Sequence, residues 1–98
     1  MIFVWQASWK PGLSREQMDG ALIRRAGWSF PAGVTVQGEY WLSRAEPVVV
    51  VILEADSYEP LFEMALTWQD VFSIDCVPAC TPEDGLAWGP AMLERRPD

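Results

Sequence analysis

The chain predicts one α+β domain of element order β-α-β-β-α-β, and three observations predict it. Clusters of Gly, Pro and Ser cut the 98 residues into six short elements and a tail. Apolar residues alternate or run continuously in four of these elements, and recur at helical spacing in the other two. The length suits one small domain, and no internal repeat makes room for a second.

Ile2 to Trp9 is rich in β-branched and aromatic residues, with Gln6 and Ser8 on one parity, and Lys10-Pro11-Gly12 ends it with turn chemistry. Ser14-Arg15-Glu16-Gln17 fits a capping box, in which Ser and Gln cover each other's orphan backbone N–H groups, so the first helix starts there. Met18, Ala21, Leu22 and Ala26 form its apolar stripe and Gly27 supplies a stop. After the turn Phe30-Pro31-Ala32-Gly33, the residues Val34, Val36, Gly38, Tyr40 and Leu42 alternate with Thr35, Gln37, Glu39 and Trp41, as in a half-buried strand. A short hairpin, Ser43 to Glu46, leads to Pro47 and the continuous apolar run Val48 to Leu53, typical of a central strand covered on both faces.

Asp56-Ser57-Tyr58-Glu59-Pro60 reads as a helix start with Asp56 or Ser57 as cap and Pro60 in the first turn, followed by an inward stripe of Leu61, Met64 or Ala65, and Trp68. Phe72, Ile74 and Cys76 alternate with Ser73, Asp75 and Val77 in a fourth strand. The domain thus spans residues 1–80. Residues 81–98 are expected to form an irregular helical tail, because Thr81-Pro82-Glu83-Asp84 starts a helix that Gly85, Gly89 and Pro90 interrupt.

This order gives a ferredoxin-like fold: a four-stranded antiparallel sheet with both helices on one face, since βαβ crossovers are right-handed. The other face is bare. A chain of this length buries only about 60 to 65 % of its unfolded surface, yet half of its residues are hydrophobic and six are tryptophan. A C₂ homodimer packed sheet to sheet would cover the excess. Even positions of the second and fourth strands are the more apolar and are expected to meet the helices. That leaves Gln37, Glu39, Trp41, Ser73 and Asp75, with Gln6, facing the dimer cavity as candidate ligand contacts.

Fourteen acidic residues against seven basic ones give a net charge of −7, the wrong sign for neutralising nucleic acid or anionic lipid. Neither nucleic acid nor membrane is an expected partner. Met1 to Trp9 lacks the basic flank and cleavage pattern of a signal peptide, and no apolar run approaches the roughly 20 residues of a membrane helix, so a cytoplasmic protein is expected. Cys76 and Cys80, four apart in an extended stretch, lie beyond disulfide reach and are expected to be free thiols.

The stretch Ile52-Leu53-Glu54-Ala55-Asp56-Ser57, then Trp68-Gln69-Asp70 and Phe72-Ser73-Ile74-Asp75-Cys76-Val77-Pro78, with Gly38-Glu39-Tyr40-Trp41 in the second strand, resembles the family catalogued as domain of unknown function 3303. The resemblance covers nearly the whole chain before the tail and implies a small dimeric α+β barrel-like fold, with no established activity.

The chain has no histidine, which excludes Ser-His-Asp and Cys-His catalysis and histidine-ligated haem or zinc. No nucleotide-binding or calcium-loop motif is present, and the spacing of the two cysteines does not suit a zinc knuckle, so no cofactor or metal is expected. Glu39 and Asp75 are the candidates for acid–base catalysis, because a carboxylate enclosed by apolar surface has a raised pKa. Rim pairing with Arg44 or Arg24 across the dimer is the commoner fate of strand carboxylates. Trp41 is the candidate aromatic contact, while Trp68 belongs to the core. The expected function is a homodimer that binds a small apolar or aromatic molecule in its central cavity. The alternative is a cofactor-free oxygenase or cyclase of an aromatic substrate, with Glu39 or Asp75 as base.

Overall fold

The computed structural model describes residues 1–97; Asp98, the end of the expected tail, lies outside them. Four strands, β1 (Ile2–Trp9), β2 (Val34–Trp41), β3 (Val49–Ala55) and β4 (Phe72–Ala79), form one antiparallel sheet of order β2-β3-β1-β4. Helices α1 (Arg15–Gly27) and α2 (Glu59–Trp68) are its crossovers, and α3 (Pro82–Arg95) follows β4. This is the ferredoxin-like α+β order, with the apolar run of β3 inside the sheet between β2 and β1.

Local chemistry accounts for the helix ends. The Ser14 hydroxyl accepts from the Gln17 backbone N–H at 3.1 Å, and the Gln17 side chain accepts from the Ser14 N–H at 2.8 Å. Both halves of the capping box are therefore made. Helix α2 departs from expectation: its N-cap is Tyr58 with no side-chain hydrogen bond, so neither Asp56 nor Ser57 caps it. Glu59 and Pro60 in its first turn still suit the start, one by charge on the helix dipole and the other because it needs no acceptor there. Gly12 and Gly33 close their turns at φ of 81° and 96°, a region open to glycine.

Antiparallel pairing places directly opposite residues on the same face of the sheet. Trp5 lies between Val51 and Cys76, and Ala7 between Val49 and Ile74, so the odd residues of β1 and β3 and the even ones of β4 share the helix-covered face. Leu53 and Val51 are fully buried there beneath Leu61 and Met64 of α2. Removing side chains of this size from water stabilises by about 1.5–3 kcal/mol each. Helix α1 is packed more lightly, with Ala21 its one buried residue. Two arginines tie its C-terminal end down. Arg24 makes a bidentate pair with Asp70 at 2.8 and 2.9 Å, donates to the Thr67 carbonyl at 2.8 Å and lies over the Trp68 ring.

The expected irregular tail is instead one 14-residue helix that runs through Gly85, Gly89 and Pro90. Its N-terminus is capped as the sequence suggests, by the Thr81 hydroxyl accepting from the Asp84 N–H at 3.1 Å. None of its residues is buried. The molecule is accordingly elongated, 54 × 30 × 20 Å, with a radius of gyration of 16.5 Å against about 13 Å for a compact domain of 100 residues.

Candidate functional site

The second strand decides where the candidate residues point. Val36 pairs with Leu53, but Gly38 pairs with Ile52, so two steps along β2 match one along β3 and Gln37 is the extra residue of a β-bulge. Past the bulge the alternation changes sides. Glu39 and Trp41 face Val51 and Val49, on the helix-covered side of the sheet. Both were expected on the open face, and unbroken alternation through Gln37 is the assumption that fails.

The remaining candidates divide accordingly. Gln6 is directly opposite Asp75, and Ser73 is opposite Ser8, so these polar groups share the open face with Val4, Val50, Ile52 and Val77. Gln37 is exposed at the bulge, apart from both groups. Five of the six candidates thus form two sets on opposite sides of the sheet, and Gln37 belongs to neither.

On the helix side, a cavity of about 390 Å³ lies between α1 and the sheet. Seven aromatic residues take part in its wall: Trp5, Trp9, Trp28, Phe30, Trp41, Trp68 and Phe72. Several pack on one another, Trp28 edge-on to Trp68 at 5.6 Å and Trp9 against Phe72 at 4.7 Å. These ring contacts make much of the wall aromatic.

A polar triad borders the cavity. Arg25 of α1 donates to Glu39 through Nη2 at 2.5 Å and Nε at 3.0 Å, and Trp41 Nε1 donates to the same carboxylate at 2.9 Å. The Glu39 side chain is only 18 % exposed. Hydrogen bonds from Arg25 hold its pKa below the ordinary carboxylate value, outweighing burial, which acts in the opposite direction, with Trp41 adding to the depression. The sequence left two readings open, a raised pKa at an acid–base site or a rim position paired with Arg44 or Arg24 across the dimer. The partner is Arg25 of the same chain, while Arg24 holds Asp70 and Arg44 donates to the Glu46 carbonyl.

One buried group is left unpaired. Trp5 is 4 % exposed, and its Nε1 is the buried side-chain nitrogen or oxygen without a hydrogen-bond partner among the described residues. Such a donor costs about 1–3 kcal/mol relative to a paired one. Trp5, Trp9 and Trp28 are read from the sequence as core, the usual place of large aromatic residues in a small domain, and nothing in the sequence singles out Arg25. The excess of tryptophan over what so short a chain can bury was the available signal.

No group of three or more His, Cys, Asp or Glu residues suited to a metal ion occurs among the described residues, and both cysteines are free, with burial pushing the Cys76 thiol up. Among the described residues no helix is long and apolar enough to cross a membrane. Neither the curated proteins nor the solved structures provide a match. Residues 1–93 of the 98, from the start of β1 through most of α3, match the model of a known family. The chain therefore belongs to the family described as domain of unknown function (DUF3303).

Proposed function

We propose that this protein is a homodimeric binding module that holds one small apolar or aromatic molecule per subunit, in the cavity between α1 and the sheet. The cavity itself carries the proposal: about 390 Å³ walled mainly by aromatic and aliphatic side chains, within the usual range of about 300–1,000 Å³ for small-molecule sites. The carbon-rich wall favours apolar ligands, and the Arg25–Glu39 pair fixes the position of α1 at the edge. Homodimerisation through the open sheet face is supported by its apolar residues Val4, Val50, Ile52 and Val77, which are partly or largely exposed among the described residues. A cytoplasmic setting belongs to the same proposal and is supported by the two free thiols.

The alternative, an acid–base enzyme, is less well supported at Glu39, because a carboxylate held by Arg25 and Trp41 is a poor proton acceptor near neutrality. Asp75 remains its candidate base.

Titration with N-phenyl-1-naphthylamine, an uncharged apolar dye whose emission rises in a dry site, tests the binding reading. Saturable binding of one dye per subunit is expected. Leu22→Trp, which enlarges a half-exposed wall residue of α1, should weaken it at least tenfold. No saturable binding to the folded protein would remove the proposal.

A further inference from the structure

Resting on the binding reading above, the geometry points to the charge of the ligand: we infer that the cavity selects uncharged molecules, and that Glu39 sets this selectivity by occupying Arg25, the one cationic wall residue among those described.

Without Glu39 the wall would suit an aromatic acid. Arg25 stands at the cavity edge with its guanidinium over two wall rings, 5.5 Å from the centre of Trp28 and 5.4 Å from that of Phe30. A guanidinium beside flat apolar rings is suited to a carboxylate or sulfonate carried on an aromatic skeleton. The Arg25 side chain is 29 % exposed, so it is not sealed in the core.

Glu39 takes that cation out of use. Its carboxylate accepts from both Nε and Nη2 of Arg25, at 3.0 and 2.5 Å, while Nη1 donates to the Trp28 carbonyl at 3.2 Å. Each guanidinium nitrogen therefore has a partner within its own chain. The carboxylate is equally committed, since Trp41 Nε1 also donates to it, and these bonds hold its pKa below the ordinary carboxylate value, so the pair stays ionised at neutral pH. Asp19, the other charged wall residue, is exposed, where solvent screens it. An anion entering the cavity would lose its hydration and meet no free cation, and a cation would find Glu39 already neutralised. An uncharged ligand bears neither cost.

A matched pair of dyes tests this. 8-Anilino-1-naphthalenesulfonate is N-phenyl-1-naphthylamine with one sulfonate added, and both brighten in a dry site. Wild-type protein should bind the uncharged dye at least about tenfold more tightly than the sulfonate, the scale of an ion left without a partner. Glu39→Gln keeps the size of the side chain and frees the charge of Arg25. It should bind the sulfonate at least about tenfold more tightly than wild type does, at one dye per subunit displaced by the uncharged dye, whose own affinity should change by less than about threefold. Glu39→Asp retains a carboxylate beside Arg25 and should retain the rejection. Asp19→Asn removes one unit of negative charge from the same wall and should retain it too, which separates the occupied Arg25 from the net charge of −7. A purely structural ion pair would lower the melting temperature of Glu39→Gln and leave the dye preference unmoved.

Sulfonate binding to wild type as tight as that of the uncharged dye, no gain in Glu39→Gln, or an equal gain in Glu39→Asp or Asp19→Asn would each overturn the inference while leaving an apolar binding cavity in place. The first of these is read on wild-type protein alone and stands even if Glu39→Gln fails to fold. Failure of wild type to bind the uncharged dye would overturn the cavity reading and this inference with it.

Discussion

Glu39 shows how one side chain can be identified from sequence and still be misjudged. Its carboxylate is a notable group on β2, but the bulge at Gln37 places it beside Arg25 of the same chain. The consequence is an acid-labile contribution to stability. Because the folded pKa of Glu39 is depressed, that contribution is fully present above the ordinary value of 4.5 and is lost as pH falls through the lower folded value. Thermal melts from pH 7 to pH 3 should show this decline, shallower in Glu39→Gln, which should also cost about 1–2 kcal/mol at pH 7 by leaving Arg25 without its anion. At Gly38 an added Cβ would lie 2.8 Å from the Tyr40 ring, which is folded over the glycine on the open face. Tyr40 is exposed enough to swing aside. Gly38→Ala should therefore alter stability by less than about 1 kcal/mol while shifting the Tyr40 ring resonances in NMR.

Elements differ widely in how firmly they are held. Strands β1 and β3 and helix α2 supply most of the buried side chains, and Leu53→Ala should cost about 2–5 kcal/mol in a denaturant melt, the range for a leucine whose site cannot collapse. Helix α3 is the opposite case. Leu86, Trp88, Met92 and Leu93 are all exposed on it, and no residue of it is buried. A chain ending at Pro82 should consequently melt within a few degrees of the full-length protein in dilute solution. A loss of ten degrees or more would mean that α3 packs on a second copy. The start of α3 was legible in Thr81 and Pro82. Its continuity was not, because Gly85, Gly89 and Pro90 weaken a helix by amounts that the rest of the helix can offset.

At the scale of the whole molecule the two faces of the sheet have different fates. One carries the core and the cavity beneath α1 and α2, while the other presents an apolar strip crossed by the Gln6–Asp75 pair. In the proposed dimer that strip meets its copy. Val77→Lys places a charge on an exposed position of it, with no loss of core packing. Sedimentation equilibrium should then show dimer for the wild-type protein and monomer for the variant, with unchanged far-UV circular dichroism. A monomeric wild-type protein would end the dimer proposal without touching the cavity.

Local pattern determined the elements. Period-two alternation, the Ser14 capping box and the continuous run in β3 are all properties of neighbouring residues, and from them follow the order β-α-β-β-α-β and, through the handedness of crossovers, the sheet. Only the tertiary structure decided the site. A bulge exists in the register of β2 against β3, a pairing between distant segments, and nothing within Val34 to Trp41 marks Gln37 as the extra residue. The cavity likewise is walled by side chains from all four strands and from α1 and α2, so no one stretch of the chain marks it.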